Sequence, residues 1–274
     1  MNDARPTNPR DEYTHGHHAS VLRTHEWRTV ENSAAYLLPH LTPSAEILDV
    51  GSGPGTITVD LARRTPHGRV IGIDAAADVV ERANGLAESS GVANVSFEVG
   101  DAYALDYPDD SFDIVHAHQV LQHLARPVDA LREWRRVLRP GGVLAAREVD
   151  YGGVLWSPAS PGLTRWLDVY HAVHDWNGGE AQAGRHLLGW AHAAGFADVT
   201  ATGSVWVFAS PLEREWWGGA WAERATKSQF ASHAIDGGHS NPQELEAIAQ
   251  AWRDWAADPD GWLLMPHGEI IARV

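Results

Sequence analysis

Between Ile47 and Arg147 five short apolar runs alternate with amphipathic stretches, and this alternation constrains the fold more than any other feature of the 274-residue chain. The runs are Ile47-Leu48-Asp49-Val50, Val70-Ile71-Gly72-Ile73, Val95-Ser96-Phe97-Glu98-Val99, Phe112 to His116 and Val143 to Arg147. They are short and β-branched, and glycine or aspartate bounds several of them, which marks strands rather than pieces of buried helix. Thr56 to Arg64, Ala76 to Ser90 and Val128 to Leu138 carry helical spacing between them. Strands alternating with helices predict an α/β fold, a doubly wound and mostly parallel sheet with helices on both faces.

The flanks are less regular. Residues 1–12 read as a polar tail, and His17 to Leu41 as helical, with Ala34, Leu37, Leu38 and Leu41 on one face and Pro43 closing the segment. After Asp150 the texture changes, because eleven of the 13 tryptophans fall between Trp156 and Trp262. Pro161 to Trp176, Arg185 to Ala194, Leu212 to Phe230 and Pro242 to Trp255 read as helices, Asp198 to Ala209 as a strand, and Gly261 to Val274 as a final strand. No Ser/Gly/Pro linker divides the chain, so we expect one domain over residues 1–274. In it a lid covers about residues 1–42, and helical cap insertions occupy about 151–195 and 211–258.

Charge narrows the partners. The formal balance of 21 Lys+Arg against 36 Asp+Glu gives −15, a field that repels phosphate backbones and acidic lipid surfaces alike, so neither nucleic acid nor membrane is expected. There is no cysteine for a disulfide, a thiol nucleophile or a zinc thiolate. The single lysine, Lys227, follows Thr226 and so cannot complete a Walker loop. Met1 to Asp11 has no apolar centre and no run approaches the length of a membrane span, which points to a cytoplasmic protein.

The residues suited to chemistry sit at strand ends, where open α/β sheets hold their ligands. Gly51, Gly53 and Gly55 follow the first strand and open a helix whose free N–H groups suit a carboxylate or phosphate. Thr56 stands where a dinucleotide fingerprint has its third glycine, which counts against a nicotinamide or flavin cofactor. Asp74 ends the second strand 19 residues after Gly55, where a carboxylate can accept from both hydroxyls of a ribose, or cap the following helix. Asp101 ends the third strand, and with the backbone of Ala102 it could read an adenine edge.

These motifs, with Phe112-Asp113-Ile114-Val115, Val120-Leu121-Gln122-His123-Leu124 and Leu138-Arg139-Pro140-Gly141-Gly142, resemble the class I S-adenosylmethionine-dependent methyltransferases over about residues 30–150. The resemblance is strongest to the ubiquinone/menaquinone-biosynthesis type and its relatives that methylate natural products. It implies a Rossmann-like seven-stranded sheet whose last strand is antiparallel, and S-adenosylmethionine as cofactor. Gly51, Ser52, Gly53 and Gly55 would hold its methionine part, Asp74 the ribose, and Asp101 with Ala102 the adenine. His118 would come near the sulfonium; the family usually carries a smaller residue there.

For chemistry on the acceptor, the candidate proton carriers are His116, His118, His123, Glu148 and Asp150, with His118 and Asp150 the first choices. Tyr13 and His18 are lid candidates, and Trp156 and Trp217 candidate walls for the acceptor, although tryptophan more often fills a core. His15, His17 and His18 lack the carboxylate and spacing of a metal site, so none is expected. The expected activity is methyl transfer to a C, O or N nucleophile of a small, largely apolar or aromatic metabolite. The alternatives are a catalytically inactive binder of the cofactor and a nicotinamide-dependent oxidoreductase. Homo-oligomerisation is left open.

Overall fold

A computed structural model describes residues 24–274. Its centre is one sheet made of β1 (Glu46–Val50), β2 (Arg69–Asp74), β3 (Val95–Val99), β4 (Phe112–His118), β5 (Leu138–Val149), β6 (Leu155–Ser157), β7 (Asp198–Phe208) and β8 (Trp262–Arg273). β3, β2, β1, β4 and β5 lie side by side and parallel. β8 runs antiparallel to β5 and is flanked on its other side by β7 along its length. The sheet is thus seven strands across with its last strand reversed, as the resemblance implies. The eighth strand, β6, is three residues long and extends the β5 side by pairing with Trp262–Leu264.

The inner strands bury both faces, and their residues alternate between two cores. Leu48, Val50, Ile71 and Leu144 join one core with Leu131 and Trp134. Ile47, Val70, Val143 and Ala145 join the other with Ile57, Leu61 and Leu37. A strand with apolar residues on both faces settles only between two helical layers. Those layers include α1 (Thr56–Arg64), α2 (Ala77–Ser90) and α3 (Pro127–Val137). Chain order reverses between β1 and β4, which opens a crevice above their carboxyl ends.

The tryptophan-rich half builds a roof of its own. α4 (Pro161–Trp176), α6 (Pro211–Lys227) and α8 (Pro242–Ala257) each begin with a capping side chain followed by proline at the first helical position: Ser160-Pro161, Ser210-Pro211 and Asn241-Pro242. The cap oxygen satisfies an orphan N–H and the proline sits where no N–H is needed. Trp166, Trp221 and Trp252 are fully buried among these helices, with ring centroids 4.7 to 5.9 Å apart. Most roof tryptophans are therefore core.

Three boundaries differ from expectation. Ala183–Ala193, here α5, packs on β5, β8 and α3, with Leu187 and Ala191 in the sheet's own core. The first inserted stretch therefore ends before this helix rather than at 195. Leu212 to Phe230 is interrupted at Ser228, whose extended backbone ends α6 and whose hydroxyl caps α7 (Gln229–Asp236). The described part of His17 to Leu41 is likewise not one helix. Thr29 starts a single turn, Val30–Ser33, through a reciprocal cap with Asn32, and Ala35–His40 tightens into a 3-10 helix containing Pro39.

Candidate functional site

A cavity of about 760 Å³ lies in the crevice. Gly51, Ser52, Gly53, Asp74, Asp101, Ala102 and His118 all line it, so the turns after β1, β2, β3 and β4 converge on one space. Gly55 stands just behind: a Cβ there would meet Phe97 at 2.6 Å, and Gly55 begins α1 in the left-handed region at φ 86°. Gly51 has φ 67°, and a Cβ on it would lie 2.4 Å from Val120. Gly53 has φ 55°, and the nearest atom to its missing Cβ is His25 Nδ1 at 3.9 Å. Packing leaves that backbone open to the cavity, the close approach a ligand needs.

Asp74 is held by the turns it joins. Its Oδ2 accepts from Gly53 N–H at 3.0 Å and its Oδ1 from Ala76 N–H at 3.1 Å. It therefore shapes the turn after β2 as well as lining the cavity. Asp101 Oδ1 accepts from Tyr103 N–H at 2.8 Å, and Ala102 C=O accepts from the Trp134 indole at 2.9 Å, which fixes the loop after β3.

The end of β4 is the polar wall. His118 is 5% exposed and neither ring nitrogen has a hydrogen-bond partner among the described residues. Burial first, then the nearby charge of Arg28 and Arg147, pushes its pKa well below the usual histidine value, so it is neutral at pH 7. Its ring stacks 6.3 Å from His267. The next residue, Gln119, has φ 57°, a left-handed conformation that costs a side-chain-bearing residue energy. A hydrogen-bond chain accompanies that conformation. Arg28 donates to Gln119 Oε1 at 2.7 Å, Gln119 Nε2 lies 3.0 Å from His267 Nε2, and His267 Nδ1 lies 3.1 Å from Met265 C=O. Arginine only donates, so the direction of the whole chain follows.

Glu148 secures this wall from behind. It is fully buried, and its carboxylate accepts from Val120, Leu121 and Gln122 N–H at 2.8, 2.7 and 3.4 Å. Burial pushes its pKa up to about 7 even though those three N–H groups pull it down. His116 is also withdrawn from the cavity: Asp49 accepts from Thr58 at 2.5 Å and holds His116 Nδ1 at 2.7 Å inside the sheet. Asp150 is bound by Arg185 at 2.6 and 2.7 Å and does not line the cavity, so its choice as a proton carrier is corrected. Trp156 is corrected too. β6 pairs it beside Leu263, and it packs against the roof core away from the cavity. His123 does line the cavity, with its pKa lowered to about 3 by burial.

Residues 24–34 contribute to the cavity wall. His25 and Arg28 line the cavity, Thr56 Oγ1 donates to His25 C=O at 3.3 Å, and the Trp206 indole donates to Asn32 C=O at 2.7 Å. Trp27 packs against Trp206, Phe208 and Trp216. Tyr13 and His18 lie outside the described residues. A second, small chamber of about 20 Å³ adjoins the cavity and shares His25, Arg28, Gln119 and His123 with it. Trp217 lines it, stacked 4.3 Å from Phe208, together with Gln122, Tyr151, Trp206, Arg224 and Met265. Sequence reasoning gave no role to Arg28, Gln119, Gln122, Arg224 or His267. Gln119 and Gln122 stand beside or inside a motif already singled out, but a backbone φ and a long-range partner leave no local signal.

The cavity fits an adenosyl group: a carboxylate at the β2 tip, an aspartate and an ordered loop at the β3 tip, and an open glycine backbone facing it. Comparison with known proteins agrees. Residues 41–195 match the family model described as a methyltransferase domain. The chain is 33% identical over 268 residues to an uncharacterised methyltransferase of Schizosaccharomyces pombe, covering 94% of this chain and 95% of the relative. It is 32% identical over 284 residues to the probable methyltransferase ltbC of Aspergillus luteorubrus, covering 97% and 98%. Among solved structures, the [4+2]-cyclase SpnF is similar with a TM-score of 0.53 and 25% identity over 93% of this chain and 81% of that one.

Proposed function

The chain belongs to the class I S-adenosylmethionine-dependent methyltransferases, and from this we propose methyl transfer to a small metabolite with an aromatic or otherwise apolar body. One observation carries the reading: the glycine turn, both strand-end aspartates and a buried, neutral imidazole with no hydrogen-bond partner among the described residues line the same cavity. When bound, the cofactor supplies an electrophilic methyl group. In this reading Gly51, Ser52, Gly53 and Gly55 would hold its amino-acid end, Asp74 the ribose, and Asp101 with the Ala102 backbone the adenine.

The chain's own residues would do the rest by position. Residues 24–34 would help to exclude water from the cavity that His25 and Arg28 line. His118 is kept neutral, so one of its ring nitrogens would accept a hydrogen bond from the acceptor's nucleophile and orient it. Support for transfer rather than mere binding comes from this imidazole, which makes no hydrogen bond among the described residues.

The test is incubation with cofactor carrying a deuterated methyl group in the presence of small-molecule extracts, followed by mass spectrometry. A product heavier by the labelled methyl group supports the reading. Tight cofactor binding with no labelled product favours a catalytically inactive binder. It would also make non-transfer chemistry, as in the structurally similar cyclase, the better account.

A further inference from the structure

β7 ends the sheet with an open edge. It is eleven residues long and pairs only with β8; among the described residues, no backbone group of the strand bonds another segment across its outer edge. A row of unpaired N–H and C=O groups attracts a further strand, and sheets guard such edges with lysine, proline, a bulge or brevity. The opposite edge is guarded, because β3 has five residues with Glu98 among them. β6 has only three. β7 carries none of these devices. Its register with β8 is unbroken, it has no proline or lysine, and its one charge, Asp198, is its first residue, opposite Arg273.

One face of the strand is bare as well. Directly opposed residues of an antiparallel pair share a face, so Val205 lies with Pro266, and Val207 with Leu264 and Leu155. α5 covers this face only further along, where Ile270 and Ala272 join its Leu187 and Ala191 in the core. Leu155, Val205 and Val207 are left 59%, 51% and 41% exposed. The strand also matches itself. Antiparallel pairing about a two-fold axis at Gly203, the middle of the eleven, sets Val207 opposite Val199, Val205 opposite Ala201 and Thr202 opposite Ser204 of a second copy, and brings no like charges together. In a chain of formal charge −15, two copies meet with least repulsion along an uncharged strip, whereas a basic partner finds nothing to pair with there.

We propose that β7 pairs with β7 of a second copy of this chain, joining the two sheets into one through a two-fold axis at Gly203. The inference goes beyond the methyltransferase reading and stands without it. The other face of the strand bears on the cavity. There Trp206 and Phe208 pack on Trp27, and Trp206 bonds Asn32, so pairing also braces the strand on which residues 24–34 rest.

Sedimentation equilibrium of the full chain should give twice the mass of one chain at micromolar concentration. Val205→Lys, on the exposed face and outside the cavity lining, should raise the dissociation constant at least about tenfold while thermal unfolding stays cooperative. The chain has no cysteine, which permits a test of register. Ala201→Cys and Val205→Cys chains, mixed and mildly oxidised, should give a cross-linked dimer, because opposed residues lie about 4.5–5.5 Å apart, within disulfide reach. Neither variant alone should cross-link, since like positions are then four residues, about 13 Å, out of step. If one of these chains fails to fold, Val199→Cys mixed with Val207→Cys replaces the pair, because the same axis opposes them. A parent that stays monomeric at high micromolar concentration, a dimer indifferent to Val205→Lys, or cross-linking of either variant with itself overturns the proposal. A monomer whose β7 amides all resist hydrogen exchange overturns it too, and assigns the edge to a segment of the same chain.

Discussion

Asp74 is expected to do two jobs, because its carboxylate already bonds the backbone of Gly53 and Ala76 while lining the cavity. Asp74→Ala should weaken S-adenosylhomocysteine binding by at least about tenfold, given that hydrogen bonds to a charged group are each worth roughly 1.5–3 kcal/mol. Calorimetry giving an unchanged affinity would remove Asp74 from the cofactor site. Gly51 makes a separate prediction. A methyl group there meets Val120 at a backbone angle that L-residues avoid, so Gly51→Ala should cost about 1–3 kcal/mol of stability in denaturant titration. Trimming Val120 in the same chain should restore only part of it, because the backbone strain remains. Much of this scale was legible in sequence: glycine and aspartate at strand ends have few other reasons to recur. Asp150 was not. A carboxylate at the end of a strand looks the same whether it faces a ligand or an arginine such as Arg185, 35 positions away.

At the scale of elements, the segment of residues 24–34, which we expect to act as a cover, is fastened to β7 as well as to α1 and the cleft. Trp27 sits among Trp206, Phe208 and Trp216, and Asn32 is bonded by Trp206. Trp27→Ala should therefore loosen the cover and speed release of S-adenosylhomocysteine severalfold in stopped-flow fluorescence, since lid opening commonly limits product release. A release rate equal to the parent's would show that this segment does not gate the cavity. The alternation of strands and helices and the Ser-Pro and Asn-Pro helix starts could be read directly, because each is a local signal. The assignment of α5 could not. A helix covering the sheet and one roofing it both bury a single apolar face, and only the partner differs. Strand β6 is too short to show a period of two, and the break after Ser33 depends on a cap that competes with an otherwise regular apolar stripe.

The whole molecule joins the sheet to a roof that buries ionisable groups as well as tryptophan. His118, His123, His174 and His267 are all held well below their usual pKa, each chiefly by burial. Below about pH 6.5 the unfolded chain takes up protons on these four that the folded chain refuses, so stability falls as pH falls. Glu148 works in the opposite direction. Its folded pKa of about 7 lies above that of an exposed glutamate, so its contribution is present at low pH and is lost as pH rises from about 4.5 to 7. The histidines outnumber it, so stability should rise with pH between pH 5 and 6. Melting temperatures across pH 5 to 8 check this. Glu148→Gln should make the rise between pH 5 and 6 steeper by removing the opposing group. A flat profile in the parent would contradict the account of the buried histidines.

The central claim is that the tips of β2 and β3 grip an adenosyl group through Asp74 and Asp101. A crystal structure of the chain grown with S-adenosylhomocysteine tests it most directly. The account predicts ribose hydroxyls on the Asp74 carboxylate, the adenine edge against Asp101 and Ala102, and sulfur on the His118 side of the cavity. A dinucleotide in that crevice, or the adenosyl group bound elsewhere and touching neither Asp74 nor Asp101, would contradict it.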